Sequence, residues 1–168
     1  RRVEGYLSAQ TGRAITVGGV RRFPVGFSWL TYGVVVRGLD GPPEQELILR
    51  LGPDDGLFAP YSALPQVLAM QALQGTSVPV PQAWWHSDDP AILGAPFLFC
   101  EKVRGAAVVP WVSATEPPLA DDYRRSLGAQ FIDALSALHR VPWQGQPVAQ
   151  LTPGITVDNA AQLTVDHL

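Results

Sequence analysis

The sequence lacks the features that define secreted and membrane proteins. Its 168 residues include one cysteine, Cys100, so no internal disulfide can form. No charged-then-apolar leader opens the chain, which favours a reducing, cytoplasmic location over a secreted one. The longest apolar runs, near residues 33–36 and 91–100, fall far short of the roughly 20 residues that a membrane-spanning helix needs. We therefore expect a cytoplasmic protein that is not embedded in a membrane.

Charged residues are also few, and neither the positive nor the negative residues are concentrated in one part of the sequence. The chain has 12 basic and 15 acidic residues, a net charge of −3, and its basic residues are scattered along the sequence. Nucleic-acid-binding domains usually carry a basic stripe or patch, so DNA and RNA are poor candidates as partners. What the sequence does contain is 46% apolar residues, enough to build the core of one ordinary globular domain.

The first part of the chain has the pattern of a helix followed by three strands. Apolar residues at helical spacing predict a short helix over residues 1–12. Three β-rich runs follow at 15–23, 30–37 and 46–51, and a loop rich in Gly and Pro at 38–43 separates the second from the third. This pattern predicts three consecutive antiparallel strands.

A helix and two further strands are expected next. Apolar spacing predicts a helix over residues 62–73, with Ser62 as its cap and Gly75 as its stop. A strand is predicted at 83–86. The dense apolar run at 96–103 is typical of a strand that is covered on both faces.

The clearest helix lies later, over residues 119–139. Its apolar residues recur every three or four positions, at Leu119, Tyr123, Leu127, Phe131, Leu135 and Leu138. After it Gly, Pro and Gln dominate, and only residues 157–168 have the composition of another short helix.

Five segments, in this order, resemble the aminoglycoside phosphotransferase family, which is similar to choline and homoserine kinases. They are VGFSWLTY (25–32), LILRLGP (47–53), TSVPVP (76–81), LGAPFLFCEKVRG (93–105) and LSALH (135–139). The resemblance implies an α+β fold, a protein-kinase-like amino-terminal lobe in which one helix is inserted into an antiparallel five-stranded sheet. Residues 1–104 would form this nucleotide-binding lobe, and 105–168 the hinge exit and the incomplete start of the carboxy-terminal lobe with its first helix.

The resemblance implies a site for ATP or GTP, and its phosphate-covering loop would contain Gly26, Phe27 and Ser28. Glycine allows the backbone to approach an anion closely, and a serine supplies a hydrogen-bond donor. A plain hairpin turn at Gly26 is an equally good interpretation of that glycine.

Arg50 stands where the family places a basic residue on the third strand, to pair with nucleotide phosphates. The alternative is a surface arginine at the end of a strand. The family's bracing glutamate on the following helix is replaced here by Gln66, and residues 56–87 contain no Asp, Glu, Lys or Arg. We expect the Gln66 amide oxygen to hydrogen-bond Arg50 more weakly than a carboxylate would.

After the fifth strand, the resemblance implies a hinge that presents backbone groups to a purine edge. Glu101 and Val103 occupy the hinge positions, and Cys100 lies behind the expected pocket. A plain core strand explains residues 97–100 equally well, so only the Arg104-Gly105 exit favours a hinge.

The sequence does not contain the family's catalytic loop, a His-Gly-Asp type motif, or the acidic ligands for Mg²⁺ expected after the long helix. Three explanations remain open: an amino-terminal part of a longer enzyme, a degenerate relative that binds nucleotide without turnover, or a stand-alone binding or assembly module. In the first, a nucleotide and a small hydroxyl-bearing substrate are the partners and the fragment alone is inactive. The apolar stripe of the long helix predicts self-association of such a fragment.

Overall fold

The computed structural model describes residues 1–24, 28–54, 60–105 and 120–151. Its elements, in chain order, are α1 (Arg2–Thr11), β1 (Thr16–Phe23), β2 (Leu30–Arg37), β3 (Glu44–Leu51), α2 (Leu64–Leu73), β4 (Ala83–Ser87), α3 (Pro90–Leu93), β5 (Phe97–Glu101) and α4 (Asp121–His139), followed by a 3₁₀ helix at Pro147–Leu151. The predicted helices and strands are therefore confirmed, most of them within two residues at each end. The short helix α3 was not predicted.

The five strands form one antiparallel sheet in the order β1-β2-β3-β5-β4. The predicted α+β lobe, with one helix inserted between the third and fourth strands, is confirmed. Because β5 pairs with β3, Ile48 lies opposite Cys100 and Arg50 lies opposite Leu98. This pairing places the basic residue of β3 beside the strand that leads into the predicted hinge.

Each face of the sheet is covered by its own helix. On one face, α1 contributes Leu7 to a core with the β3 residues Leu47 and Leu49 and the β5 residues Phe97 and Phe99. Tyr6 packs edge to face on Phe97, with the ring centroids 4.9 Å apart.

The opposite face packs against α2. Ala63 and Val67 form a second buried cluster there with Leu98 and Cys100, and Ile48 packs against it. All residues from Phe97 to Cys100 are buried, because alternate side chains serve the two cores. The prediction of a strand covered on both faces is confirmed.

The start of α2 differs from the prediction. Ala63, not Ser62, is the N-cap residue, and no side chain caps the helix from that position. Asp88, in the loop after β4, accepts hydrogen bonds from the Ser62 hydroxyl (2.6 Å) and from the Ala63 N–H (2.7 Å). Although Ser62 is not the N-cap residue, its hydroxyl oxygen accepts a hydrogen bond from the Leu64 N–H (3.3 Å), as expected of a cap, and Asp88, 25 residues from Ala63, anchors this end of the helix as well.

The long helix α4 is confirmed over Asp121–His139, while Leu119 and residues 157–168 lie outside the described residues. Much of its apolar stripe is on the surface of the described part: Tyr123, Phe131, Ile132, Leu135 and Leu138 are all exposed. Among the described helices, none is both long and apolar enough to cross a membrane.

Candidate functional site

The candidate residues lie on the face of the sheet that α2 covers. Side chains alternate along a strand, so Glu46, Ile48 and Arg50 of β3 share one face. Ile48 packs against the α2 core, whereas Leu47 and Leu49 belong to the core on the α1 side. Arg50 therefore lies beneath α2, next to the strand that leads into the hinge.

Arg50 is held by a neutral partner. Its Nη1 donates a 2.5 Å hydrogen bond to Oε1 of Gln66 on α2, the contact expected from the sequence. Its guanidinium carbon also lies 5.7 Å from the ring centroid of Trp29, within the range of a cation–π interaction. In the described ranges none of the ion pairs includes Arg50, so its positive charge has no carboxylate to neutralise it there.

Burial governs the titration of both ionisable groups at this point of the sheet. It lowers the pKa of Arg50, although the nearby Cys100 opposes the change, and an arginine remains protonated at any physiological pH. Burial also raises the pKa of Cys100 to about 11, against the influence of Arg50. The Cys100 thiol is therefore neutral at physiological pH and acts as an apolar wall.

The neutral residue Gln66 belongs to a helix that is uncharged throughout. The helix Leu64–Leu73 contains no charged residue, and Gln66 precedes Val67, which is buried against the sheet. An amide in this half-buried position orients the guanidinium without cancelling its charge. The arrangement leaves a positioned cation that suits an anionic group such as a phosphate.

The hinge segment begins where β5 ends. The Glu101 N–H donates to the Gln82 carbonyl (2.8 Å), and the Glu101 carboxylate accepts from the Gln82 N–H (3.3 Å). The Val103 side chain is 63% exposed, and its backbone makes no hydrogen bond to another described residue. The Glu101 N–H is therefore already occupied, whereas the Val103 backbone has no partner among the described residues.

The structure brings together part of the predicted set. Arg50, Gln66 and Cys100 lie next to one another, Glu101 is the last residue of β5, and Val103 lies two residues beyond the end of that strand. Ser28 is half-buried in the bend before β2, and the predicted residues Gly26 and Phe27 lie outside the described residues.

Sequence reasoning did not single out Trp29, Glu46 or Lys102. Trp29 belongs to the loop segment 25–32, and the strand alternation of β3 would have placed Glu46 on the face of Arg50.

Within the described ranges, no group of His, Cys, Asp and Glu side chains has the arrangement of a metal site.

The solved structures that are similar to this chain include two proteins of related fold. One is a candidate aminoglycoside phosphotransferase from Ralstonia eutropha JMP134, with 23% identity and a TM-score of 0.57 over 85% of this chain. The other is a candidate fructosamine-3-kinase from Thermobifida fusca YX-ER1, with 21% identity and a TM-score of 0.44 over 81% of this chain. The present chain spans 38% of the length of each. The first likeness supports the kinase-like fold.

Comparison with curated proteins gave no significant match. The family model of the phosphotransferase enzyme family, however, matches residues 19–163, which is most of the chain. The matched range includes the whole sheet apart from the start of β1, together with Arg50, Gln66 and the hinge. The chain therefore belongs to the phosphotransferase enzyme family.

Proposed function

We propose that this chain is the nucleotide-binding lobe of a kinase that transfers a phosphoryl group from ATP or GTP to a hydroxyl group of a small molecule. The observation that carries the proposal is the half-buried guanidinium of Arg50, oriented by Gln66 and without an ion-pair partner among the described residues. A nucleotide phosphate would supply the missing negative charge, and the arginine fork suits two phosphate oxygens.

The rest of the proposed site extends from Arg50 towards the hinge. Ile48, which is only partly buried, would offer an apolar surface to a purine ring, with the buried Cys100 opposite it on β5 and behind the pocket. The Glu101 carbonyl and the Val103 backbone would then face the edge of the base. In this arrangement Gly26, Phe27 and Ser28 cover the phosphates, as expected from the family resemblance.

The chemistry of transfer is assigned to residues beyond this chain. The described residues contain no group of three or more His, Cys, Asp and Glu side chains arranged to hold a metal ion, and the sequence contains no His-Gly-Asp motif. We therefore place the metal ligands and the catalytic aspartate outside these 168 residues and propose that the chain alone is inactive. The same proposal keeps residues 1–104 as the nucleotide lobe, 105–168 as the start of the second lobe, and a cytoplasmic location.

A second function is favoured by one residue. Gln66 stands where an enzyme of this fold would be expected to carry a glutamate, and its amide gives Arg50 no charge pairing. A degenerate module that binds nucleotide without turnover, or that serves assembly, requires no such pairing. The two functions share the nucleotide site and differ in whether phosphate is transferred.

Isothermal titration of the 168-residue chain with ATP and with GTP tests the shared site. We expect Arg50→Ala to weaken binding by roughly 5- to 150-fold, the equivalent of about 1–3 kcal/mol for hydrogen bonds to a charged group. Arg37→Ala is the matched control, because Arg37 forms an exposed ion pair with Glu44 on the same sheet. An affinity that is the same for Arg50→Ala and the unchanged chain would overturn the role of Arg50.

A further inference from the structure

A charged cluster on the same face of the sheet has no role in the proposed function. It consists of Lys102, which is the only lysine in the sequence, Glu46 of β3 and Arg21 of β1. Lys102 Nζ forms a salt bridge with Glu46 Oε2, and Arg21 Nη2 lies 3.6 Å from Glu46 Oε1. The Lys102 and Glu46 side chains are only 34% and 29% exposed, so this pair is less solvated than a typical surface ion pair.

The sheet provides a specific place for the Glu46 carboxylate. A Cβ atom at Gly33 of β2 would lie 2.5 Å from Glu46 Oε1, closer than real side chains approach, and in tight contact with the Phe23 ring at 3.2 Å. The absence of a side chain at Gly33 therefore makes room for the carboxylate. Arg21 completes the arrangement, with its guanidinium carbon 4.5 Å from the centroid of the Phe23 ring.

Lys102 is the residue between the two hinge positions. The ladder between β3 and β5 ends at the pair Leu47–Glu101, so the backbone beyond Glu101 has no strand partner on β3. The Lys102 side chain continues the connection across to Glu46 after the ladder has ended. In the described part of the chain, this salt bridge is the side-chain link between the hinge and β3.

We propose that Lys102 is a positioning residue, which fixes the backbone of Glu101 and Val103 relative to β3 through its salt bridge with Glu46 and so sets the site of the purine base. The inference rests on the proposed nucleotide site. Glu46 and Arg50 are four residues apart on one strand, so the salt bridge lies at the hinge end of the face and away from the proposed phosphate site. Its loss should therefore affect recognition of the base and leave recognition of phosphate unchanged.

The test compares two ligands, ATP and inorganic tripolyphosphate, which has the phosphates of ATP without the base. In the 168-residue chain, Lys102→Met and Glu46→Gln should each weaken ATP binding by about threefold to fivefold, the upper part of the range for a partly exposed ion pair. Tripolyphosphate binding should stay within about twofold of the unchanged chain. Lys102→Arg should bind ATP as tightly as the unchanged chain, because arginine keeps the positive charge.

Glu44→Gln is the matched control. Glu44 lies on β3 two residues before Glu46 and also pairs with a basic residue, but its partner is Arg37 of β2 rather than the hinge lysine. The Glu44→Gln variant should bind ATP with the same affinity as the unchanged chain. If Lys102→Met leaves ATP binding unchanged, or weakens ATP and tripolyphosphate equally, the positioning role is overturned and the salt bridge only stabilises the sheet.

Chemical modification of the folded chain covers the case in which a variant fails to fold. Acetylation removes the charge of the one lysine side chain, whereas methylation keeps it. Acetylation should weaken ATP binding by the same factor as Lys102→Met and methylation should not; equal effects of the two would overturn the inference. If the unchanged chain binds neither ATP nor GTP, the proposed function itself fails and the inference fails with it.

Discussion

Replacement of Gln66 by glutamate tests whether the brace on Arg50 is a weakened form of an ion pair. Gln66 Oε1 lies 2.5 Å from Arg50 Nη1, so a carboxylate in the same position would receive the same donor. The bond that the charged Arg50 donates to a neutral amide would become an ion pair, and we expect the added charge to contribute about 1 kcal/mol at this half-buried contact. For a chain of this size, that gain raises the melting temperature by about 2–4 °C.

The same change should tighten nucleotide binding. Arg50 uses one guanidinium nitrogen for the brace, and its remaining donors are available to phosphate oxygens. A firmer brace reduces the freedom that the guanidinium loses on binding, so we expect ATP affinity to rise by up to about fivefold. In the complete enzyme, turnover should rise as well.

Calorimetric titration with ATP measures the change in affinity, and thermal unfolding measures the change in melting temperature, for Gln66→Glu and the unchanged chain. Gln71→Glu is the control, because Gln71 is an exposed residue of the same uncharged helix. If Gln66→Glu leaves affinity unchanged or lowers it, the added carboxylate offsets the charge that Arg50 offers to phosphate, and the idea of a weakened ion pair is refuted.

Three further results follow from the contacts of the sheet and of α4. Gly33→Ala should lower the unfolding free energy by about 1 kcal/mol, because the new Cβ displaces the Glu46 carboxylate from Lys102, whereas Gly19→Ala, with open space around it, should not. Lys102 lowers the pKa of Glu46. The stability contributed by this pair is therefore present above the ordinary carboxyl pKa of about 4.3 and is lost as the pH falls through the lower folded-state value. Urea unfolding at a series of pH values should show this loss of unfolding free energy in the unchanged chain and not in Lys102→Met. The 168-residue chain should self-associate in sedimentation experiments and show no phosphotransferase activity, and Phe131→Ser on the exposed stripe of α4 should shift it towards monomer; a stable monomer with Mg²⁺-dependent turnover would contradict both expectations.

The elements of the fold were predictable from local patterns. The bounds of β2 and β5, and the helical stretch that became α4, follow from side-chain periodicity and from turn residues, which act over a few positions. The order of the strands was not available from periodicity, because the pairing of β5 with β3 joins segments about 50 residues apart. The family resemblance predicted a five-stranded antiparallel sheet with one inserted helix, but not which strands pair.

The candidate site was predictable in part, for the same reason. Arg50 and Gln66 were identified through their places in family motifs, and the contact between them follows from the packing of α2 on the sheet. Lys102 and Glu46 are 56 residues apart, so their salt bridge depends on strand register that the sequence does not display. The anchoring of the start of α2 by Asp88 was not predicted, because Asp88 lies in a loop beyond the next strand.

The central claim is that a nucleotide lies on the α2 side of the sheet, with its phosphates at Arg50 and its base at the hinge. The most direct measurement is the change in NMR chemical shifts of the ¹⁵N-labelled, 18.1 kDa chain when ATP is added. The Arg50 side-chain signals and the backbone signals of Glu101 and Val103 should shift, and those of α4 should not. Shifts confined to the cavity of about 370 Å³ on the α1 side, which Gln45 and Trp84 line, or no shifts at all, would contradict the claim.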